Sequence, residues 1–400
     1  MKRMKLFHYL VLALILAATL FGVLVFACRT EILEQIKKEE PVLQTGPSVE
    51  ASAEISTEEP TDAPTEAPTE PPTEPPTEEP TEEPTEPPTE PVPQSFLLTF
   101  VGDCTLGCNA KMVNAKTAFP LTVGDDYDYS MANVKDYFLN DDCSFANLEG
   151  TLGGKGKAQN KKYVFTGKAE YTEIFTRNGM EAVTLANNHS FDFGQEGFDE
   201  TKAVLENAGI PYAEHMGTVT VTTDSGLTVG LFAVDFTRGT PKKEDVKSAI
   251  RNLKDAGVDL VVCAFHWGKE NTFQATSTQK EYGKLAIDSG AAIVWGHHPH
   301  VLQPMETYNG GLIMYSLGNF VFGGNSAPKD FDTAIVRQEV IRDVDGSITL
   351  GERTVIPCSV SSTSYPNNYQ PTPYQEGSME YDRTISKLNG SYKGSNLPIG

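Results

Sequence analysis

Six apolar runs of strand length constrain this chain more than any other feature. They are SFLLTFVG (95–102), SFANL (144–148), EAVTLAN (181–187), LTVGLFAVD (227–235), VDLVVCAFH (258–266) and AAIVWG (291–296), each ending in polar or glycine positions. Between several of them lie segments with helical spacing that close on glycine: 195–209, 242–257 and 277–290. Strands alternating with helices require an α/β fold, layered around a largely buried sheet. The later runs 311–317 and 332–342 are expected to add antiparallel edges, and the Ser-, Tyr-, Pro- and Asn-rich residues 359–400 are expected to form a loosely ordered tail. The folded part is therefore placed at 95–358.

What precedes it cannot be part of that core. Residues 31–94 carry 18 acidic and 2 basic residues and settle, from Pro60 onward, into a Pro-Thr-acid tetrad repeat. Proline at every fourth position and almost no apolar side chains leave nothing to bury, so this stretch reads as a disordered, extended Pro/Thr/Glu stalk. Residues 1–30 hold three early cations and then an uncharged, mostly apolar run from Leu6 to Cys28, long enough to span a bilayer. A retained transmembrane anchor is the first reading, with a cleaved secretory signal or lipidation at Cys28 as alternatives. All three place the remainder outside the cytoplasm, held at the cell membrane in the first reading.

The net charge of −22 belongs mostly to the stalk, and residues 95–400 keep only −10. That balance and the absence of a basic patch exclude nucleic acid as a partner. Five cysteines fall in the folded part, an odd number whose spacings match no zinc ribbon, although Cys104 and Cys108 are near enough in sequence for a bridge.

The polar clusters share one position, the C-terminal end of a predicted strand. There stand Asp103, then Asn147 and Glu149, then Asn188 and His189, then His266, then His297, His298 and His300. In open α/β sheets sites assemble at that edge. Taken singly, Asp103 reads as a cap, Glu149 as a turn residue, and His189 as a loop residue bonded to Asp192. Taken together they bring carboxylates, amide oxygens and imidazoles to one place, a donor set suited to Zn, Mn or Fe. Two such ions bridged by a carboxylate would activate water and hold both oxygens of a phosphoryl transfer.

With those residues assembled, the chain resembles the CapA family of poly-γ-glutamate capsule synthesis, which is similar to the calcineurin-like metallophosphoesterases. The motifs are FVGDCTLG (100–107), FANLEGTL (145–152), TLANNHSFDFG (184–194), FHWGKE (265–270), WGHHPHVLQP (295–304) and YSLGNFVF (315–322). The resemblance implies a layered metallophosphoesterase-like sandwich with mixed sheets, and one or two divalent ions held by Asp103, Glu149, Asn188, His266, His298 and His300. It also implies a leaving-group acid at His189, grouped with Asp192 as catalytic. Asn147, Glu270, His297 and Asn319 are expected to support the ligands or touch substrate, with His297 the bystander of its cluster. Where the phosphoesterases open with Asp-X-His this chain has Asp103, Cys104 and Thr105, so one metal position loses an imidazole. The implied function is synthesis, export or retention of an anionic polymer such as poly-γ-glutamate, beside other membrane proteins of capsule synthesis. The alternatives are an extracellular metal-dependent hydrolase and a binding module with a structural metal.

Overall fold

The computed structural model describes residues 92–398. In chain order the strands are β1 (Gln94–Thr105), β2 (Cys108–Asn109), β3 (Cys143–Leu148), β4 (Thr151–Leu152), β5 (Phe165–Gly167), β6 (Ala182–Thr184), β7 (Tyr212–Ala213), β8 (Thr218–Thr222), β9 (Thr228–Asp235), β10 (Leu260–His266), β11 (Ile293–His297), β12 (Met305–Tyr308), β13 (Gly311–Met314), β14 (Asn319–Phe322), β15 (Asp332–Arg342), β16 (Ile348–Ser359) and β17 (Thr372–Pro373). They form an eight-stranded sheet in the order β17-β16-β15-β1-β3-β6-β7 with β14 beside the end of β1, a six-stranded sheet β12-β13-β11-β10-β9-β8, and a small three-stranded sheet β2-β5-β4.

The two large sheets face each other across a dry core, as their alternation requires. From the first come Phe96, Leu98, Phe100 and Phe145, and from the second Leu231, Ala233, Val262, Ala264, Ile293 and Trp295, all buried in one cluster. The intervening residues Val261, Cys263 and Phe265 point the other way, onto the helices Lys243–Asp255 and Ser277–Asp288. On the far side of the first sheet Val101, Ala146 and Val183 pack with Phe198 and Leu205 of the helix Gly194–Asn207. The result is the mixed, layered α/β fold expected from the sequence.

Side-chain period two then decides what reaches the site. His266 follows Val262 and Ala264 with the same parity, and His297 follows Ile293 and Trp295, so both imidazoles lie on the inter-sheet face. In the first sheet Asn147 continues Phe145, but Asp103 would fall on the wrong face of a regular strand. The pairing of β1 with β3 slips between Phe100 and Asp103, and this bulge returns Asp103 to the inner side while Cys104 joins the outer cluster. Gly102 sits in the bulge, where a Cβ would lie 2.1 Å from the Gly318 carbonyl oxygen. No other residue fits there.

Some expectations need correction. The 311–317 run is not an edge: β13 lies inside its sheet, parallel to β11 and antiparallel to β12. The 332–342 run is antiparallel, but it lies between β1 and β16. The tail is ordered as well, with a helix Met379–Leu388. Lys387, 3% exposed, bonds the carboxylates of Asp330 and Asp332, and Arg383 makes two bonds to Asp332. Composition misleads here because buried ion pairs and side-chain hydrogen bonds hold the segment, where an apolar pattern would have been visible. Cys104 and Cys108 are unbridged, as are Cys143, Cys263 and Cys358, all buried.

The anchor, and the stalk up to residue 91, lie outside the described residues, and Gln94, counted with the stalk, opens β1. Among the described residues, no helix is long and apolar enough to cross a membrane.

Candidate functional site

The ends of β1, β3 and β14 meet the ends of β10 and β11 from the opposite sheet, and Glu149 stands in the middle. Its carboxylate is wholly buried, and neither oxygen accepts a hydrogen bond from any described residue. Around Oε1 stand three imidazole nitrogens: Nε2 of His266 and of His300 at 3.8 Å, and Nε2 of His189 at 3.9 Å. Burial, with the Asp103 charge added to it, pushes the Glu149 carboxyl well above its usual range against the pull of His300.

Asp103 is the opposite case. Its Oδ1 accepts from Asn147 Nδ2 at 2.9 Å and pairs with His297 Nδ1 at 2.9 Å, while Oδ2 lies 3.1 Å from His300 Nδ1. Burial would raise its pKa, but the His297 and His300 contacts outweigh that and hold the carboxyl well below the carboxylate range. His300 Nδ1 also faces Asn319 Oδ1 at 2.9 Å. Two acceptors around Nδ1 hold a proton there and aim Nε2 at Glu149, so that a cation would take the place of the Nε2 proton, the arrangement that orients a metal-ligating imidazole. Burial opposes a charge on His300, yet Glu149 and Asp103 together lift its pKa to about 10.

The His-Pro-His turn is built under strain. His298 and His300 both have left-handed backbone, φ +93° and +56°, on either side of Pro299. Such conformations cost about 1–3 kcal/mol each and persist where surrounding structure enforces them. Here the enforcement includes Gly296, where a Cβ would meet the Tyr315 carbonyl oxygen at 2.2 Å. The turn brings the His298 ring to 4.8 Å from that of His266 and 6.0 Å from that of His300. Burial, with the neighbouring His300 charge, takes the His298 pKa down to about 4, and burial and His298 take His266 well below the normal imidazole value.

The two adjacent asparagines have separate duties. Asn187 braces the loop, donating to Asn147 Oδ1 and to the Leu148 carbonyl while accepting from the His189 amide. Asn188 turns its Oδ1 to His266 Nε2 at 2.8 Å. His189, 7% exposed, pairs Nδ1 with Asp192 Oδ2 at 2.8 Å and lies over Phe165 with ring centroids 4.2 Å apart. That geometry leaves Nε2 aimed at the cluster. Burial lowers the His189 pKa against the pull of Asp192.

The structure thus gathers Asp103, Asn147, Glu149, Asn188, His189, Asp192, His266, Glu270, His297, His298, His300 and Asn319 around one inter-sheet cleft. His297 stands in the supporting position expected of it, bonded to Asp103 with its ring meeting Trp295 edge-on at 4.2 Å. Cys104 points away and burial holds its thiol at about 12, so it offers no thiolate. Thr105, standing where the resemblance would put an imidazole, donates its hydroxyl to the Glu149 carbonyl. Sequence reasoning missed Asp235 and Lys161. Asp235 ends β9 directly opposite His266 and pairs with Arg238, and the strand-end rule that found the other residues applies to it equally. Lys161 bonds Asp192 and the Asn188 carbonyl from a loop without periodic signal.

The donor set fits a divalent cation. Asp103, Glu149 and His300 offer ligand atoms within 4.8 Å of one another, as do Glu270, His298 and His300. A buried carboxylate with no hydrogen-bond donor, ringed by imidazoles, is stabilised by a cation and strongly disfavoured without one.

Comparison with known proteins agrees with the sequence reading. The family model described as bacterial capsule synthesis protein PGA_cap matches residues 97–324, more than half of the chain. The chain belongs to this family. Among curated relatives, the capsule biosynthesis protein CapA of Bacillus anthracis is 29% identical over 255 residues, covering 57% of this chain and 60% of that protein. The PGA biosynthesis protein CapA of Bacillus subtilis is 28% identical over 269 residues, covering 62% and 68%. Of solved structures, the Haemophilus influenzae NAD nucleotidase is a distant likeness at TM-score 0.37 and 12% identity, covering 75% of this chain and 63% of that one.

Proposed function

We propose that this protein serves the synthesis, export or retention of poly-γ-glutamate or a similar anionic polymer, outside the cytoplasm and tethered to the membrane by residues 1–30. Its strand-end cluster would bind divalent metal. Membership of the PGA_cap family supports the polymer, and the Leu6–Cys28 run supports the tether. The observation that carries the metal is Glu149, whose two buried oxygens have no described donor and whose Oε1 faces three imidazoles.

Asp103, Glu149 and His300 would hold one ion, and Asn188, His266 and His298 would complete a second position, with Glu149 between them. Bound metal would supply a water acidified towards neutral pH and positive charge for a developing oxyanion. The protein's own contribution is orientation. Asn319 and Asp103 fix the His300 tautomer, and Asn147 and His297 hold Asp103. Asp192 fixes Nδ1 of His189 and so leaves Nε2 to give or take a proton at the cleft.

That last pair favours a second reading, a metal-dependent hydrolase acting on phosphoesters or on the cell-surface polymer itself. Deletion of the gene, complemented with wild type or His189→Gln, separates the two. Polymer lost on deletion and restored by both supports a non-catalytic role. Restoration by wild type alone, with metal-dependent hydrolysis in the purified full chain, supports the hydrolase. Full chain that binds no stoichiometric Mn, Zn or Fe refutes the metal centre.

A further inference from the structure

A third carboxylate enters the cleft from its mouth. Glu270 lies just past β10 and lines a cavity of about 160 Å3 with His189, His300, Asn319 and Phe322. One of its oxygens and one ring nitrogen each from His298 and His300 lie within 4.8 Å of one another. The loop that carries it is fastened on both sides. The Asn271 amide, at φ +58°, donates to the Pro299 carbonyl at 2.8 Å, tying the Glu270 loop to the residue between the two histidines. From outside, the tail holds the same loop. The Leu397 amide donates to the Asn271 carbonyl at 3.0 Å, and the Phe273 amide donates to Asn396 Oδ1 at 3.0 Å.

From this convergence we infer that Glu270 is a metal ligand, joining His298 at the second of the two positions, on the side of the cleft mouth that His300 borders. The inference rests on the metal reading above and extends it. Three carboxylates, Asp103, Glu149 and Glu270, crowd one cleft, and their mutual repulsion is relieved by cations. With Glu270 counted, oxygen donors outnumber nitrogen, Asp103, Glu149, Asn188 and Glu270 against His266, His298 and His300, and a set of that kind suits Mn(II) or Fe(II) better than a thiolate-rich or all-imidazole one would. Glu270 sits on a loop pinned by chain ends distant in sequence, so its place at the site depends on residues 396–397 as much as on the strand before it.

The test uses the purified full chain, stripped with chelator and titrated with Mn(II), with free ion followed by electron paramagnetic resonance and bound metal counted after gel filtration. Glu270→Gln is expected to weaken Mn(II) binding by at least about tenfold, the scale on which supporting residues alone act. Glu270→Asp, which keeps the charge, should recover part of that affinity. Wild-type affinity and stoichiometry in both variants would overturn the assignment while leaving the metal reading intact. A wild-type chain that takes up no Mn(II), Zn(II) or Fe(II) would overturn both.

Discussion

Replacing Glu149 by Gln should make the metal-free protein more stable and the metal-loaded protein less so. Glu149 is wholly buried and accepts no hydrogen bond from a described residue. A buried acceptor left unpaired costs about 1–3 kcal/mol, and a charged one more. The variant removes the charge, keeps the volume and gives the neighbouring imidazoles, at 3.8–3.9 Å, an amide donor. A gain of about 1–3 kcal/mol should raise the metal-free Tm by roughly 2–5 °C in a domain of this size. Because burial raises the carboxyl's pKa, the wild type pays its penalty only above the unfolded pKa, and the gap should shrink as pH falls. Adding metal reverses the order. At 100 times Kd a ligand adds about 2.7 kcal/mol to the state that binds it, and the variant should gain little of this. Paired melts in chelator and in excess Mn(II) or Zn(II) measure both effects. A metal-free variant that melts at or below wild type, or an equal metal-induced rise in both proteins, would refute the reasoning.

Other expectations follow from single contacts. Lys387→Met strands the carboxylate of Asp330, while Asp332 keeps its two bonds from Arg383. Loss of one partner of a buried pair costs about 3–5 kcal/mol, so chemical denaturation should show that loss together with early proteolysis of the 379–388 helix. Gly102→Ala drives a Cβ into the Gly318 carbonyl, and the bulge that aims Asp103 should open, lowering both Tm and metal affinity. Asp141 is raised to about 6 by burial, against its Ser144 bond and the charge of Arg337. A raised acid destabilises the fold above its unfolded pKa, so Asp141→Asn should match wild type below about pH 4. The variant should gain between pH 4 and 6 and stay ahead above that, by up to about 3 kcal/mol, in urea titrations run across pH.

The layered fold and most of the cleft were readable because both depend on short-range pattern. Continuous apolar runs located β9, β10 and β11, and the polar residues that ended those runs were the ones brought together. The reading weakened wherever a position depends on irregular backbone or distant chain. Parity along a regular β1 would put Asp103 on the helix side, and only the slip against β3 reverses it. No spacing rule shows that Asn319 opens a strand lying parallel to the end of β1, so that its side chain braces His300. The tail is the clearest failure, since its polar composition resembles disorder until Lys387 is seen between Asp330 and Asp332.

His297 shows how the two kinds of information combine. Sequence spacing singled out His298 and His300, which alternate around Pro299, and set their neighbour aside. Strand parity argues differently, because the alternation that buries Ile293 and Trp295 also turns His297 inward. There it meets Asp103 and, with Asn147 on the same oxygen, holds that carboxylate ionised in a dry cleft. Asp103 therefore stands ready as an anionic ligand, whereas Glu149, one strand over and without donors, resists ionisation until a cation arrives. The same burial thus produces one preformed ligand and one that is conditional on metal. The difference lies in three hydrogen-bonding side chains, Asn147, His297 and His300, all of which contact Asp103.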